Sequence, residues 1–334
     1  MKRRRFIAAG LGAACTTAAT AATGAVPALA AGRGGSLTAT DVHVGDYPTV
    51  QAVRWIGETL ERQTQGRLRI RLYHSGQLGR EAEAIDMARF GAIDFARVYS
   101  GALNNAFPLT RALCLPYVFD SVAHMRRSMD GEVGQAVLDG FSERGLVGLA
   151  IYDSGARCFY NARRPIRTPA DLQGMKIRVP VSDIFIRLLR QFGANATPLS
   201  LGEVYSGMET RMIDGAENNI RSFHSSRHFE AARYWSQSEH SYAPDVLLLS
   251  QRTWDAFDPA DRERLRDAAR RSVTVMRDAW DASEAAARQQ VLAAGIEANE
   301  VDIAAFREAA APLLAEYRRD PRIDALYARI RATA

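Results

Sequence analysis

The chain is poor in cysteine and has no long hydrophobic run. Three of its 334 residues are cysteine, which excludes a disulfide-rich scaffold. Only Cys114 and Cys158 lie beyond the N-terminal leader. We expect two buried thiols that pack as small hydrophobic groups, with a bridge between them as the alternative. Beyond the leader no stretch approaches ~18 uninterrupted apolar residues, so the sequence predicts no membrane-spanning helix.

The sequence also lacks the motifs of the common enzyme and cofactor classes. It contains no HExxH zinc motif, no GxSxG elbow, no GxxxxGK[ST] phosphate loop and no paired CxxC. His224 and His228 have the spacing of two metal ligands on one helix, but a third ligand of suitable spacing is missing. A solvated helix face is therefore the favoured interpretation of this pair. We predict a protein that is not an enzyme and that binds neither a metal nor a cofactor.

Positive charge is concentrated at the N-terminus. The formal net charge is +5, and Lys2, Arg3, Arg4 and Arg5 carry four of these charges. Because residues 1–30 contain no acidic residue, the balance of the remaining chain is only +1. A nucleic-acid partner, which a basic protein would suggest, is therefore not expected.

Residues 1–30 have the pattern of a cleaved export signal. A basic start precedes a mildly apolar region rich in Ala, Gly and Thr, and residues 28–30 (ALA) form a small-x-small cleavage site. Residues 3–7 (RRRFI) resemble the twin-arginine export signal, and a general secretory signal with extra arginines is the alternative. We expect the mature chain to be a soluble periplasmic protein.

Short strands alternate with helices along the rest of the chain, which indicates the α/β class. Apolar alternation or short apolar runs predict strands, whereas apolar residues at helical spacing with capping residues predict helices. The predicted strands are 41–44, 68–72, 93–98, 146–152, 176–179, 215–218 and 246–249. The predicted helices are 50–65, 81–90, 122–143, two that begin after Ser182 and Ser200, and 261–294.

The last of these helices indicates how the domains are arranged. At 1.5 Å per residue a helix over 261–294 would be ~45–50 Å long, more than one small domain is wide. We therefore expect it to run along two lobes with a ligand cleft between them. The predicted boundaries are 31–154 plus 244–283 for lobe I and 155–243 plus 284–334 for lobe II.

The segment from Gly174 to Pro180 places an arginine in a buried strand. By strand alternation Ile177 and Val179 share one face, and Arg178 points to the other. A buried arginine is costly unless it is paired or opens into a crevice. Because Pro180 ends the strand, Arg178 lies at the carboxyl end, where open α/β sheets place their ligands. We predict that Arg178 binds a carboxylate in bidentate geometry, and a structural salt bridge is the alternative.

Two further polar residues lie at comparable positions. Asn218 ends the predicted strand 215–218, and its amide supplies both donors and an acceptor for a polyhydroxy ligand. Turn chemistry is the alternative role for this asparagine. Arg157 lies near the expected hinge, where it would pair with a ligand or clamp the lobes, and an exposed surface position is the alternative.

These residues lie within motifs that resemble the solute-binding proteins of tripartite ATP-independent periplasmic (TRAP) transporters, the DctP family. The resemblance covers about residues 42–296, and its motifs occur in the family's order. They are GQLG at 76–79, GAIDF at 91–95, LPYVF at 115–119, GAR at 155–157, PADLQGMKIRVP at 169–180, EVY at 203–205 and DGAEN at 214–218.

The resemblance implies a periplasmic binding protein-like α/β fold, with two α/β lobes around a ligand cleft and a long helix spanning both. It implies that the ligand is an organic acid and that Arg178 grips its carboxylate. Arg157 matches a second ligand-facing arginine of some members, and Asn218 matches a ligand contact in the same strand. The usual members have proline after this Glu-Asn pair, whereas this chain has Asn219. That departure resembles a subgroup that binds hexuronates, namely D-glucuronate and D-galacturonate. Further matches to the subgroup are His43, residues 46–49, Arg97 and residues 240–241.

A polyhydroxy acid fits a cleft that offers donors and acceptors of several kinds. The expected ligand-binding residues are Arg178, Arg157, Asn218, Asn219, Glu81, Arg97, His43 and Tyr47. The expected role is capture of a small-molecule carboxylate by a monomer and its delivery to TRAP permease subunits in the membrane. The alternatives are another organic acid (a C4-dicarboxylate, keto acid or aromatic acid), a sensor subunit, or a secreted uronate lyase or isomerase.

Overall fold

The computed structural model describes residues 35–334, and two β-sheets organise them. The predicted export signal at residues 1–30 lies outside the described residues. The strands are β1 (Gly35–Thr40), β2 (Leu68–Tyr73), β3 (Phe95–Tyr99), β4 (Leu146–Tyr152), β5 (Arg157–Asn161), β6 (Lys176–Val179), β7 (Asn195–Pro198), β8 (Gly215–Asn218), β9 (Tyr234–Ser241), β10 (Asp245–Ser250) and β11 (Glu297–Glu300).

The first sheet has five strands in the order β2-β1-β3-β10-β4, and the second has six in the order β11-β9-β5-β8-β6-β7. In the first sheet β1 is parallel to β2 and β3, and β10 is antiparallel to β3 and β4. In the second, β6 is parallel to β7 and β8, and β5 is antiparallel to β8. The ends of β1 and β3 therefore meet the start of β10 at one edge, and the ends of β6 and β8 meet the start of β5.

Helices cover these sheets and complete the two predicted α/β lobes. They are α1 (Pro48–Gln63), α2 (Glu81–Phe90), α3 (Ser100–Leu103), α4 (Arg111–Cys114), α5 (Val122–Asp130), α6 (Glu132–Asp139), α7 (Asp183–Gln191), α8 (Val204–Glu209), α9 (Ile220–Ser225), α10 (Gln251–Ala256), α11 (Pro259–Ala293), α12 (Ile303–Tyr317) and α13 (Pro321–Arg331). Within residues 35–334, no helix combines the length and the apolar character needed to cross a membrane.

Two local predictions differ from the structure. The first strand spans Gly35–Thr40 rather than 41–44, because the chain turns at Asp41. The carboxylate of Asp41 accepts hydrogen bonds from the backbone nitrogen of His43 and the hydroxyl of Thr49. The helix predicted over 122–143 is divided at Gly131, whose extended backbone ends α5 and begins α6.

The long helix α11 joins the two lobes. It has 35 residues and is therefore roughly 50 Å long. It packs against α1 and β4 of the first lobe and against α9 of the second. Leu265, Met276 and Trp280 contribute to the first-lobe core, whereas Val291 contributes to the second-lobe core. The helix thus buries different parts of its length in different cores.

Two further segments cross between the sheets, residues 153–156 and residues 242–244. In the first of them Gly155 has a φ of +66°, and a Cβ there would lie 2.8 Å from Trp280 and 3.2 Å from Asn219. Both the conformation and the close packing therefore require glycine. The neighbouring Asp153 accepts hydrogen bonds from Arg126 and Arg277. This crossing is consequently held against α5 and α11.

The C-terminal helix differs from the expected lobe boundary, which placed 284–334 in lobe II. Helix α13 packs against α4 and α6, which belong to the first lobe. The Nε2 atom of His124 lies 2.9 Å from the carbonyl oxygen of Ile330, within hydrogen-bond distance. Because Ile323, Leu326 and Ile330 are buried in this contact, α13 completes the core of lobe I.

Two matched substitutions on α11 test its burial. Leu265 is 1% exposed, so Leu265→Ala lowers the free energy of unfolding by about 2–5 kcal/mol. Leu292 on the same helix is 46% exposed, and Leu292→Ala changes the free energy of unfolding by less than about 0.5 kcal/mol. Urea denaturation followed by circular dichroism measures both values. Equal effects of the two substitutions would contradict this placement of the helix.

Candidate functional site

A cavity of about 340 Å³ lies between the two sheets, where strand ends from both meet. Its walls combine charged, amide and apolar groups from both lobes and from a crossing segment. The lining residues are Val42, His43, Glu81, Tyr99, Ser154, Arg157, Arg178, Pro180, Leu201, Asn218, Asn219 and Asp245.

Arg178 is a cavity-lining cation that makes no ion pair with a carboxylate in the described chain. It lies in β6 and is 4% exposed. Its Nε donates a hydrogen bond to the carbonyl of Leu199 at 2.8 Å, and within residues 35–334 neither Nη atom has a protein acceptor. Burial lowers the pKa of the Arg178 guanidinium, but an arginine still carries its charge in a protein. Its two Nη atoms are therefore available to a carboxylate.

Arg157 already has a carboxylate partner. Its Nε and Nη2 donate to the Glu217 carboxylate at 2.5 and 2.8 Å, and Nη2 also donates to the Glu217 carbonyl at 2.9 Å. Its Nη1 donates to Oδ1 of Asn218 at 3.2 Å, so one of its five N–H groups is left. Arg157 is 3% exposed, which rules out the surface position considered above.

Each member of the Arg157–Glu217 pair also contacts one aromatic ring. The Arg157 guanidinium lies 4.7 Å from the centroid of the Tyr99 ring, a cation–π distance. Nε2 of His240 lies 3.3 Å from Oε2 of Glu217. Burial by itself raises the pKa of Glu217, but the charges and hydrogen bonds of Arg157 and His240 together outweigh it, and the pKa lies below the usual value. The pair is therefore ionised.

Asn218, which ends β8, and Asn219, which follows it, have different roles. Oδ1 of Asn218 accepts from the backbone nitrogen of Asn219 at 2.8 Å, whereas its Nδ2 donates to no protein group in the described chain. Oδ1 of Asn219 caps α9 by accepting from the backbone nitrogen of Ser222 at 2.7 Å, and its Nδ2 donates to Tyr47. Asn218 therefore has two N–H groups free for a ligand, while the Asn219 side chain is engaged.

On the first-lobe side, Arg97 is surrounded by three carboxylates. Its Nε and Nη2 donate to Asp41 at 3.0 and 2.5 Å, and its Nη1 donates to Glu81 at 3.2 Å. Asp245 Oδ2 also lies 3.2 Å from Nη1. Burial opposes ionisation of Asp41, but Arg97 and His43 together outweigh it, and the pKa of Asp41 falls far below its usual range. The Arg97 side chain is fully buried and does not line the cavity.

Glu81 and His43 belong to this cluster and also line the cavity. Oε1 of Glu81 accepts from the Tyr99 backbone nitrogen at 2.9 Å as well as from Arg97. The His43 ring stacks on Tyr47, with centroids 3.8 Å apart. Burial and the Arg97 charge lower the pKa of His43, so its ring is neutral. The Tyr47 ring is fully buried behind His43.

Asp245 at the start of β10 is the carboxylate that this cluster leaves without a hydrogen bond. It is 1% exposed, and neither carboxylate oxygen has a hydrogen-bond partner in the part of the chain that the structure describes. Burial raises the pKa of Asp245 to about 7, although Arg97 opposes the rise. Asp41 and Asp245 thus share one guanidinium, but only Asp41 receives its hydrogen bonds.

Polar pairs outside the cavity wall join the two lobes around it. The contacts are Tyr47 Oη–Ser222 Oγ at 2.8 Å, Ser182 Oγ–Asn104 Oδ1 at 2.7 Å, Arg221–Asp46 at 3.1 Å and Arg80–Glu203 at 3.1 Å. The first two are buried and the others reach the surface. The lobes therefore contact each other through groups that do not depend on the charges of the cavity.

Most of the residues singled out from the sequence lie together. Those that line the cavity are Arg178, Arg157, Asn218, Asn219, Glu81 and His43. Arg97 and Tyr47 lie behind it and contact lining residues instead. The lining residues that the sequence analysis missed are Asp245, Tyr99, Ser154, Val42, Pro180 and Leu201. A signal for Asp245 was present, since it directly precedes the apolar strand run 246–249.

The remaining candidates have structural roles. Cys114 and Cys158 are free and buried, as the favoured interpretation predicts. His224 and His228 do not share a helix, because α9 ends at Ser225, and His228 is buried rather than solvated. Within residues 35–334 no group of three or more metal-ligating side chains is found.

Comparison with known proteins gives a consistent result. Residues 41–320 match DctP, the bacterial extracellular solute-binding proteins of family 7. A solute-binding protein of Chromohalobacter salexigens is 36% identical over 288 residues, which is 86% of each chain.

Solved structures extend the similarity. A TRAP periplasmic solute-binding protein from Xanthobacter autotrophicus with bound β-D-galacturonate is 44% identical and has a TM-score of 0.87, covering 89% of this chain and 99% of that one. One from Chromohalobacter salexigens with bound D-glucuronate is 35% identical and also has a TM-score of 0.87, covering 89% and 100%. The predicted two-lobe α/β fold is thereby confirmed.

His228 provides a test of the second lobe. Its Nδ1 lies 2.8 Å from the Tyr160 hydroxyl, and burial together with the Arg178 charge lowers its pKa to about 3. Because the unfolded histidine has a pKa near ~6.5, the stability it supports is lost as pH falls from about 6.5 toward 3, by up to ~1.4 kcal/mol per pH unit. Urea unfolding between pH 7 and 4 should give a shallower pH slope for His228→Gln. Parallel slopes for the wild type and His228→Gln would refute the assignment.

Proposed function

This chain belongs to the DctP family of bacterial extracellular solute-binding proteins, and from that membership we propose that it captures a hexuronate such as D-glucuronate or D-galacturonate. In this proposal it delivers the sugar acid to the membrane permease of a TRAP transporter. The family and the structural neighbours are solute-binding proteins rather than enzymes, which confirms that prediction and argues against the uronate lyase or isomerase considered above.

The main support for the proposal is the separation of charge in the cavity. Arg178, on the second-lobe side, has two Nη atoms without an acceptor among residues 35–334. Two acidic residues on the first-lobe side, Glu81 and Asp245, line the same cavity. A ligand with a carboxylate at one end and hydroxyl donors at the other would satisfy both sides.

The same separation disfavours some of the alternative ligands. A C4-dicarboxylate would bring its second carboxylate toward Glu81 and Asp245, where like charges repel in a poorly solvated site. An aromatic acid would leave these acceptors without donors, which is costly for buried polar groups. A hexuronate meets both requirements, and it is the ligand bound in the two neighbours described above. A hydroxylated keto acid stays an alternative on these grounds.

We assign the residues as follows. Arg178 holds the carboxylate through both Nη atoms, and Arg157 adds its one remaining N–H. Asn218 donates from its free amide, and Glu81 and His43 face the hydroxyl groups. Arg97, Tyr47 and Asn219 act by positioning these residues, since their own polar groups are occupied within the protein.

Capture then requires that the lobes open and close. The ligand shifts the balance between these forms by binding the closed form better, because only there do groups from both lobes reach it. In the proposed setting the N-terminal signal exports the chain to the periplasm. There it works as a monomer without metal or cofactor and docks on the permease subunits.

The role of Arg178 can be measured directly. Arg178→Ala leaves the ligand carboxylate unpaired in a buried site, which costs about 2–5 kcal/mol, or roughly 30- to several-thousand-fold in affinity for D-glucuronate. Arg178→Lys keeps the charge but loses the bidentate fork, so an intermediate loss is expected. Isothermal titration calorimetry gives these values, with Arg190→Ala at an exposed site in α7 as the matched control. Unchanged binding by Arg178→Ala would contradict the assignment of Arg178 to the ligand carboxylate.

A thermal-shift screen tests the ligand class. Hexuronates, aldonates, C4-dicarboxylates, keto acids and aromatic acids are each added to the purified protein. A ligand at 100 times its dissociation constant stabilises the folded form by ~2.7 kcal/mol, so a hexuronate should raise the melting temperature by several degrees. If only a dicarboxylate does so, the hexuronate assignment is wrong. If none of the acids does, organic-acid capture itself is wrong.

A further inference from the structure

Asp245 is a buried carboxylate that is paired with Arg97 but accepts no hydrogen bond from residues 35–334. The residue lines the cavity and is almost fully buried. A buried carboxylate is normally paired and hydrogen-bonded, since its solvation in water is lost. An acceptor of this kind in a ligand cavity therefore points to a donor that the ligand brings.

The charged groups around Asp245 do not supply that donor. Arg97 on β3 lies 3.2 Å away, but the hydrogen bonds of its guanidinium go to Asp41 and Glu81. Asp41 and Glu81 are themselves negative and oppose ionisation of Asp245, while Arg157 across the cavity favours it. The remaining titratable neighbours are Tyr99 and Tyr152, opposite Asp245 on β3 and β4, and Tyr47, whose ring is buried behind the cavity wall.

We propose that Asp245 is a specificity-determining residue that accepts hydrogen bonds from hydroxyl groups of the bound sugar acid. This inference rests on the proposed function and adds the residue that distinguishes a hydroxylated acid from an acid without hydroxyl groups. Asp245 lies on the first sheet and Arg178 on the second, so a ligand held by both has its two ends fixed. The ionised carboxylate is the stronger acceptor, and capture therefore favours the ionised form.

This choice has a consequence for pH. Since the pKa of Asp245 is raised to about 7 by burial, the free protein gains a proton there as pH falls below 7. The ligand then has to displace that proton, so its affinity decreases as pH falls. If the protonated form does not bind, the dissociation constant is roughly tenfold higher at pH 6 than at pH 8. Burial also lowers the pKa values of His43 and His240, which disfavours their protonated forms.

Calorimetric titration of D-glucuronate and D-galacturonate at pH 6, 7 and 8 tests the inference. The wild type should bind about tenfold more weakly at pH 6 than at pH 8. Asp245→Asn loses the charged acceptor and presents an amide N–H₂ in place of one oxygen. It should bind roughly ten- to a hundredfold more weakly than the wild type at pH 8 and show no pH dependence. Asp278→Asn, at an exposed position of α11, is the control and should behave as the wild type.

The outcomes separate this inference from the proposed function. If the wild type binds neither uronate, the proposed function fails. If it binds them but Asp245→Asn has the same affinity and the same pH profile, only the role of Asp245 fails. An affinity that rises toward pH 6 would show that the protonated carboxyl is the binding form and would overturn the inference. The wild-type profile decides this point even if the variant folds poorly, and the melting temperature of unliganded Asp245→Asn reports its folding.

Discussion

The number of hydrogen bonds that a buried arginine can donate governs this site. Arg97 and Arg157 each saturate one carboxylate, Asp41 and Glu217, with two hydrogen bonds. The polar groups that these two pairs leave available are the ones proposed to bind the ligand. On one side Arg178 has no carboxylate partner among residues 35–334, and on the other Asp245 has an ion pair with Arg97 but accepts no hydrogen bond from the described chain. Because both groups are buried between the lobes, bulk water cannot fully solvate either of them. The cavity is therefore polarised, and a ligand has to be polarised in the opposite sense to fill it.

The fold produces this polarity by bringing strand ends together. Arg178 and Asn218 lie at or near the ends of parallel strands β6 and β8, and Arg157 begins the antiparallel strand β5 beside them. Asp245 begins β10 and lies opposite Tyr99, at the end of β3. Each sheet thus presents its own charges at one edge, and the crossing segments set the two edges face to face. At the crossing, the positive φ of Gly155 and its contact with Trp280 allow no larger side chain.

How far the sequence could predict this arrangement depended on the distance over which each interaction acts. The position of Arg178 could be predicted, because strand alternation and the proline that follows the strand are local signals. Helix α11 was predicted to within two residues at its start and one at its end, since an uninterrupted polar and alanine-rich segment is also a local signal. Arg97 was assigned to the ligand, yet its partner Asp41 lies 56 positions earlier, and no local pattern reports such a pairing. Asp245 directly precedes an apolar strand run, but which donors reach its carboxylate is a property of the folded cluster, and it was therefore missed.

In the proposed function, selectivity and closure rest on different residues. The two buried pairs that join the lobes, Tyr47–Ser222 and Asn104–Ser182, are formed outside the cavity wall and need no ligand charge. They are neutral hydrogen bonds, which individually contribute only about 0.5–1.5 kcal/mol to stability. Closure without ligand would bury the unpaired charge of Arg178 and the unpaired acceptor of Asp245 at the same time, and this cost opposes those bonds. A ligand of matching polarity removes the cost on both sides at once, so the step that recognises the ligand is also the step that makes the closed form favourable.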